Sequence, residues 1–284
     1  MNLRDETISI LNKYSLRANK KLGQNFLINE EIIDSIVEKA EITKDDVIIE
    51  IGPGIGSLTN ALLTKCEKVI AVELDQNMVE ILKKRFAVFD NFEVIHQDIL
   101  KTNIHEIIKN YDSVKVVANL PYYITTPIIM KLLEDRLKLK SITVMVQKEV
   151  GERICATHEE KEYGAISVSV QYYTSPKIII DVPKDNFLPS PEVDSCVVRL
   201  DLLEKPRVSV NNEKLFFKLV KGAFTQRRKT INNSLTCCGK SKEIIKQVLE
   251  ELSIDTRLRA ENLSIKEFAD ICNLLDMEDN YDKQ

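Results

Sequence analysis

The sequence predicts an α/β fold, in which a largely parallel sheet is covered by helices on both faces and is followed by a smaller helical domain. Short apolar runs rich in Val and Ile alternate with segments of helical period through the first half of the chain, as expected for right-handed βαβ crossovers. After Pro206 only helical patterns remain. The length of 284 residues and the hydrophobic content of 44% allow one large domain together with a small one.

The elements of the sheet follow one another in a regular order. The predicted strands and helices alternate as DVIIEIG, SLTNALLTKC, KVIAVELD, QNMVEILKKRF, FEVIHQD, NIHEIIKNY, VKVVANL, TTPIIMKLLEDRL and SITVMVQKE. Two later runs, KIIIDVP and SCVVRLDLL, are predicted to be the last strands. Ahead of them, AISVSVQYY alternates like a strand, but periodicity alone does not distinguish it from a buried helix.

The C-terminal part is predicted to contain helices only. They are NNEKLFFKLVKGAFTQ, RRKTINNSL, SKEIIKQVLEEL and SIKEFADICNLLDM, with Asn or Ser in capping positions. We therefore place a domain boundary near residues 204–207. The first domain, residues 1–205, includes an N-terminal helical extension, and the second comprises residues 206–284.

The charge distribution is uneven. The net charge of −4 argues against a general nucleic-acid binder. However, residues 205–240 carry nine Lys and Arg side chains against Glu213 alone, and residues 12–27 carry four cations and no acid. Acidic residues are concentrated elsewhere, notably in the C-terminal tail. The sequence therefore predicts one basic and one acidic face.

The composition argues for a soluble protein of the cytoplasm. No run of 18 uncharged apolar residues is present, and the N-terminus is charged from the start. The six cysteines form no C-x-x-C pair, and there are only three histidines. We therefore expect reduced thiols, no metal site and no membrane contact.

A glycine-rich loop follows the first predicted strand. In VIIEIGPGIGSLT, glycines 52, 54 and 56 occupy alternate positions just before a helix, where the absence of Cβ lets the backbone approach a ligand closely. A dinucleotide-binding loop has the different spacing G-x-G-x-x-G. The loop instead resembles the first motif of the Rossmann-like class I methyltransferases, which bind S-adenosylmethionine.

Two acidic residues end the next two strands. Glu73 lies about 20 residues beyond the glycines, where a carboxylate can accept both ribose hydroxyls of a nucleoside. Asp98 ends the third strand in VIHQDIL and could accept a hydrogen bond from the exocyclic amine of a cofactor. Both are candidate cofactor-binding residues.

The fourth strand ends in the sequence NLPYY. Its first four residues resemble the fourth motif of methyltransferases that act on an adenine amine. The Asn119 side-chain oxygen and the Leu120 carbonyl, held by Pro121, could accept the two N6 hydrogens. Tyr122 could stack on the base. No ionised base is required, because the methylated amine becomes acidic and loses its proton readily. Tyr123 is interpreted as packing.

Over nearly the whole chain, the sequence resembles the small-subunit (16S) ribosomal RNA adenine dimethyltransferases of the KsgA type. The segments that carry the resemblance include KKLGQNFL, IEIGPGIGSLT, ANLPYYITTPI, FLPSPEVDSCVVRL and AFTQRRKTINNSL. It implies a Rossmann-like class I methyltransferase sheet with a small all-helical C-terminal domain. It also implies dimethylation of N6 of two adjacent adenines in the 3′-terminal hairpin of that RNA, with S-adenosylhomocysteine as the product.

The resemblance assigns roles to individual residues. Cofactor contacts fall on Asn25, Leu27, Gly52, Gly54, Glu73, Asp98 and Asn119, and catalytic ones on Asn119, Leu120, Pro121 and Tyr122. Phe187 would cover the other face of the base. Arg227, Arg228 and Lys229 are predicted to contact RNA phosphates. The resemblance favours a helix for AISVSVQYY and a monomeric protein whose partner is the small ribosomal subunit.

Two other functions remain open. One is a large-subunit ribosomal RNA adenine N6-methyltransferase of the macrolide-resistance type, which shares the cofactor motifs. The other is an RNA-binding ribosome-assembly factor whose catalysis is secondary. FTQRRKTINNSL and RAENLS favour the small-subunit group, and the intact glycine loop and NLPY motif favour an active enzyme.

Overall fold

The chain folds into two compact units. The computed structural model describes residues 2–19, 22–158, 160–226 and 228–281. One unit, here called the sheet unit, comprises Met1–Gly151 with Ser175–Leu202. The other, here called the helical unit, comprises Glu152–Thr174 with Leu203–Gln284. Residues 152–174, which lie in the first domain as predicted from sequence, thus group with the helical unit.

The strands and helices have the following bounds. The strands are β1 (Phe26–Leu27), β2 (Val47–Ile51), β3 (Lys68–Glu73), β4 (Phe92–His96), β5 (Val114–Asn119), β6 (Ser141–Gln147), β7 (Thr174–Val182), β8 (Phe187–Leu188) and β9 (Ser195–Leu202). The helices are α1 (Leu3–Lys13), α2 (Glu30–Lys39), α3 (Ser57–Leu63), α4 (Gln76–Arg85), α5 (Ile104–Ile108), α6 (Thr125–Glu134), α7 (Lys148–Cys155), α8 (Ala165–Tyr173), α9 (Glu213–Thr225), α10 (Ile231–Ser234), α11 (Lys242–Glu251) and α12 (Ile265–Tyr281).

A seven-stranded sheet forms the centre of the sheet unit. Its strand order is β4-β3-β2-β5-β6-β9-β7. All neighbours from β4 to β6 are parallel, and β9 is antiparallel to β6. The prediction of an α/β fold with a largely parallel sheet is confirmed. Because the chain order reverses between β2 and β5, the crevice at their carboxyl ends is the expected ligand site.

The burial of the central strands explains why they are continuously apolar. Every residue of β2 and all of β5 except Asn119 are buried, because the neighbouring helices cover the sheet. Helix α4 begins after Asp75, whose carboxylate accepts the Asn77 amide hydrogen at 2.9 Å. The helices between the parallel strands return the chain to the amino edge of the sheet. The loops at the carboxyl edge therefore remain available for a site.

A buried ion pair joins β2 and β5 at the opposite, amino edge of the sheet. The Lys115 Nζ lies 2.8 Å from Asp46 Oδ2, and the two side chains are only 10% and 2% exposed. The Asp46 carboxylate also accepts hydrogen bonds from Ser113 and Thr43. This cluster fixes the edge of the sheet that lies farthest from the expected site.

A separate two-stranded pair lies near the start of the chain. Strand β1 pairs antiparallel with β8, with Phe26 opposite Leu188 and Leu27 opposite Phe187. The Ile28 amide donates to the Asn186 carbonyl at 2.9 Å and extends the pair. The segment that precedes α2 is therefore attached to the loop before β9.

The helical unit has its own hydrophobic core. Phe216, Leu219, Phe268 and Leu275 are fully buried at its centre. Asn212 and Ser241 cap α9 and α11, as their positions in the sequence predict. The segment RRKTINNSL is predicted as one helix; its described residues, 228–235, contain only the short helix α10, followed by a 3-10 turn over Leu235–Cys238.

AISVSVQYY forms helix α8, as the family resemblance favoured. Its residues are all buried or half-buried, so the helix has no polar face that would produce a period of 3.6 in the sequence. Ser167 accepts the Gly164 amide hydrogen at 2.9 Å and stabilises the first turn. The strand-like alternation was therefore misleading, because a helix covered on all sides needs no polar face.

Candidate active site

A cleft of about 820 Å³, counting the space open to solvent, lies at the carboxyl ends of the central strands. It brings together most of the residues that the sequence singled out. The predicted residues that line it are Asn25, Gly52, Gly54, Glu73, Asp98, Asn119, Leu120, Pro121 and Tyr122. Strands β2, β3 and β5 thus deliver their terminal residues to one cavity, as the topology requires.

The glycine loop and the end of β3 are bonded directly to each other. Glu73 Oε2 accepts the Gly54 amide hydrogen at 3.1 Å, and its Oε1 accepts that of Asp75 at 2.8 Å. Gly52 and Gly54 have φ values of +63° and +59°, which only glycine adopts readily. Glu73 is 7% exposed, and this burial raises the pKa of its carboxyl. Each carboxylate oxygen retains capacity for a further hydrogen bond.

A second buried carboxyl lies on β2, just before the loop. Glu50, two residues before Gly52, is 1% exposed. Burial raises its pKa to about 8, although Thr59 donates a hydrogen bond to it at 2.6 Å. The raised pKa favours the neutral carboxylic acid, and the hydrogen bond with Thr59 joins β2 to α3, the helix that follows the glycine loop.

Asn119 is oriented by the segment before β1. Its Nδ2 donates to the Asn25 carbonyl at 3.1 Å, while the Leu120 amide donates to Met145 on β6 at 3.2 Å. Among the described residues, no donor bonds to the Asn119 Oδ1 or the Leu120 carbonyl. The site therefore presents two acceptors whose hydrogen-bonding capacity is available to a ligand.

Pro121 and Tyr122 continue this wall of the cleft. The Tyr122 hydroxyl forms a 2.6 Å hydrogen bond with Ser195 Oγ at the start of β9. Burial raises the Tyr122 pKa, with the Ser195 hydrogen bond acting in the opposite direction. The half-buried ring is thus held at both its backbone and its hydroxyl end.

The structure does not bring Leu27 or Phe187 into the cleft. Successive side chains of a strand point in opposite directions, so Phe26 lines the cleft while Leu27 is 5% exposed in the core. Phe187 is 2% exposed and belongs to the same core cluster. A direct contact of either side chain with a ligand therefore has no support in this arrangement.

The cleft also contains residues that the sequence analysis did not single out. Leu22, Gly23, Gln24, Leu74 and Ile99 line it. Tyr123, interpreted from the sequence as packing, also lines it and is exposed, so the packing interpretation is not supported. Gln24 Nε2 donates to Asp75 at 3.0 Å and links the N-terminal segment to the end of β3. Leu74 and Ile99 directly follow Glu73 and Asp98 in the sequence. Their position next to these candidate residues could have identified them as part of the cleft. Leu74 remains 47% exposed.

The predicted phosphate-binding cations belong to the helical unit. Arg228 and Lys229 are exposed, whereas Arg227 lies outside the described residues. Three lysines of α9, at positions 214, 218 and 221, are also exposed. Because residues three and four apart share a face of a helix, these lysines form a basic stripe.

Two features are absent from the described residues. None of their helices is long and apolar enough to cross a membrane. No group of three or more His, Cys, Asp and Glu side chains among them is arranged to hold a metal ion.

The strand order, the glycine loop at the switch point and the cleft lined by strand-end acids define a Rossmann-like class I methyltransferase. The family model described as ribosomal RNA adenine dimethylase matches residues 15–277. The chain belongs to this family.

Curated relatives match almost the full length of the chain. "Ribosomal RNA small subunit methyltransferase A" of Clostridium acetobutylicum is 51% identical over 262 residues, covering 92% of this chain and 95% of that protein. The protein of the same name from Clostridioides difficile is 48% identical over 273 residues, covering 95% and 94%. A further relative of that name, from Clostridium botulinum, is 48% identical over 269 residues and covers 95% and 98%.

Solved structures share the fold. A dimethyladenosine transferase from Plasmodium falciparum is similar with a TM-score of 0.75 and 28% identity, over 89% of this chain and 97% of that one. The 23S ribosomal RNA methyltransferase ErmE is similar with a TM-score of 0.69 and 22% identity, over 89% and 100%. At that identity the second likeness concerns the fold only.

Proposed function

We propose that this chain transfers methyl groups from S-adenosylmethionine to N6 of two adjacent adenines in the 3′-terminal hairpin of small-subunit (16S) ribosomal RNA. The family and the names of its relatives, at 48% to 51% identity, support this proposal. The single observation that carries it is the pair of acceptors at the end of β5, the Asn119 Oδ1 and the Leu120 carbonyl. Two acceptors match the two hydrogens of an adenine amine.

The cleft fits the proposed cofactor. The backbone of Gly52 and Gly54 lies open to it, and the oxygens of the buried Glu73 can accept from ribose hydroxyls. Leu74 and Ile99 offer apolar contact to a planar base, and Asp98 offers an acceptor for its exocyclic amine. When bound there, S-adenosylmethionine supplies an electrophilic methyl group on a sulfonium.

The residues of the chain align the adenine and tune its amine. Hydrogen bonds from N6 to Asn119 and Leu120 favour a pyramidal nitrogen, whose lone pair is no longer delocalised into the ring. Such alignment supplies most of what methyl transfer requires. The attacked amine becomes acidic as the new N–C bond forms, so its proton leaves to water without an ionised protein base.

Tyr122 is proposed to hold the adenine by stacking. Its ring lines the cleft and is fixed by the hydrogen bond to Ser195, so little conformational freedom is lost when a base binds. Enzymes that act on a base commonly hold it out of its helix between apolar side chains. Phe187 takes no part in this stacking, because its ring is buried in the core.

The helical unit is proposed to contact the RNA backbone. Arg228, Lys229 and the α9 lysines form exposed cations within one unit, and phosphate contacts of this kind give affinity without reading sequence. We also propose that the protein acts as a monomer in the cytoplasm.

Methylation of purified subunits tests the function. The full-length chain is incubated with labelled S-adenosylmethionine and small subunits that lack the modification, and methylated nucleosides are mapped by mass. We expect N6,N6-dimethyladenosine at two adjacent adenines, formed about a hundredfold or more slowly with Asn119→Ala. Methylation of protein-free large-subunit RNA instead would overturn the proposal in favour of the macrolide-resistance type. Tight subunit binding without any methylation would favour an assembly factor.

A further inference from the structure

One aromatic side chain of the cleft has no role in the proposed chemistry. Tyr123 is 57% exposed, and no other Phe or Tyr among the side chains that the structure describes is more than half exposed. It lines the same cleft as Asn119. An exposed aromatic ring beside a substrate site is a common binding surface for nucleic-acid bases.

The ring of Tyr123 rests against backbone. A Cβ atom added to Gly23 would lie 3.3 Å from Tyr123 Cδ1 and 3.6 Å from Pro121 Cβ. Gly23 also has φ +61°, which disfavours any other residue there. One side of the ring is therefore supported by the Gly23 backbone, while the remainder is open to solvent.

Tyr122 and Tyr123 differ in their surroundings. The Tyr122 hydroxyl bonds to Ser195, and the ring is half-buried. The Tyr123 hydroxyl bonds to no residue that the structure describes. Tyr122 thus offers an inner ring surface that is fixed by its backbone and by its hydroxyl. Tyr123 offers an outer ring surface that is supported on one side only.

We infer that Tyr123 forms a second base-binding subsite, on which the nucleotide next to the target adenine stacks. This inference rests on the proposed function. The proposed substrate contains two adjacent adenines, so when one occupies the site at Asn119 and Tyr122, its neighbour leaves the cleft at the rim. A supported ring at that rim holds the neighbour and, after a shift of one nucleotide, the adenine already methylated.

The experiment compares Tyr123→Ala with Tyr123→Phe in the full-length chain. Stacking of one base contributes about tenfold to a hundredfold in affinity. We expect Tyr123→Ala to raise KM for unmethylated subunits about tenfold or more with a smaller change in kcat. Tyr123→Phe should stay close to the wild-type value. Val88→Ala is the control, because Val88 is 85% exposed and is absent from the cleft lining.

A change in the substrate separates stacking from cleft packing. Subunits reconstituted with an abasic nucleotide beside the target adenine should raise KM for the wild type by the same factor. They should raise it no further for Tyr123→Ala, because the two changes remove one contact. Equal KM values for wild type and Tyr123→Ala would overturn the inference. So would a loss of S-adenosylhomocysteine affinity in Tyr123→Ala that accounts for the whole effect. Wild-type enzyme that methylates no subunit would contradict the proposed function itself.

Discussion

The side-chain amide of Asn119 is held by the backbone carbonyl of Asn25, 3.1 Å away and 94 residues earlier in the chain. The hydrogen bond uses one donor of the amide, fixes the orientation of the side chain and leaves its oxygen available to a ligand. A residue at the end of the fourth parallel strand is thus oriented by the segment that precedes β1. The proposed chemistry requires both residues in place.

Asn119 substitutions test this orientation. We expect Asn119→Ala to lower the single-turnover rate of methyl transfer by about a hundredfold or more, because an aligned acceptor is lost. Asn119→Asp should also be impaired, since a carboxylate would repel the Asn25 carbonyl. Circular dichroism and S-adenosylhomocysteine binding serve as controls. Unfolding of Asn119→Ala would show that the residue is structural, and full activity of Asn119→Asp would contradict the role of Asn25.

Glu73 tests the proposed cofactor site. We expect Glu73→Ala to weaken S-adenosylhomocysteine binding about tenfold or more, measured by calorimetry, because both the ribose acceptor and the bond to Gly54 are removed. Glu73→Gln, which keeps one acceptor oxygen, should have an intermediate affinity. Equal affinities of all three proteins would exclude Glu73 from the cofactor site.

Glu50 should make stability depend on pH. Its pKa rises from an ordinary 4.5 to about 8 in the folded protein, so the folded state binds the proton more tightly. The stability associated with this proton is fully present below about pH 4.5 and is lost as pH rises through about 8. The slope can reach about 1.4 kcal/mol per pH unit. Urea unfolding at pH 5 to 8 should show this loss in the wild type and a smaller one in Glu50→Gln. Parallel curves would refute the assignment.

The Asp46 and Lys115 pair should show strong coupling. Burial alone would raise the Asp46 pKa, but hydrogen bonds from Lys115, Ser113 and Thr43 lower it to about 2. Lys115→Met leaves a buried carboxylate without its cation, which should cost about 3–5 kcal/mol in the free energy of unfolding. Adding Asp46→Asn should restore part of this loss. An additive double variant would argue against a direct interaction.

Arg228 and Lys229 should determine part of the salt dependence of subunit binding. Replacing both with Gln removes two candidate phosphate contacts, so the slope of log affinity against log salt should decrease by about two. Lys246→Gln, an exposed residue on α11 paired with Glu250, is the control of equal charge type. An unchanged slope in the double variant would exclude these residues from the interface.

Much of the sheet unit could be predicted because its strands are buried on both faces and its loops carry distinctive residues. The glycine loop, Glu73, Asp98 and the NLPY segment all lie in one cleft, as parallel topology requires. The alternation in AISVSVQYY did not identify its helix, because burial around the whole helix removes the amphipathic signal.

Side-chain direction limited the prediction at individual positions. Leu27 and Phe187 lie within motifs of the family, yet both side chains point into the core. In a two-residue strand, which of two neighbours faces the cleft depends on register and pairing with β8, neither of which the local sequence determines. The role of Gln24 was likewise not predictable from local sequence, because its hydrogen-bond partner, Asp75, lies 51 residues away in the chain.

The pairing of β1 with β8 has a mechanical consequence. Asn25 immediately precedes β1, and Asn29, just after it, donates to the Asn186 side chain at 2.8 Å before β8. The position of the Asn25 carbonyl, which supports Asn119, therefore depends on the pairing of β1 with residues 186–188. We therefore expect substitutions at residues 186–188 to shift Asn25, and with it the Asn119 amide, although none of these three residues lines the cleft.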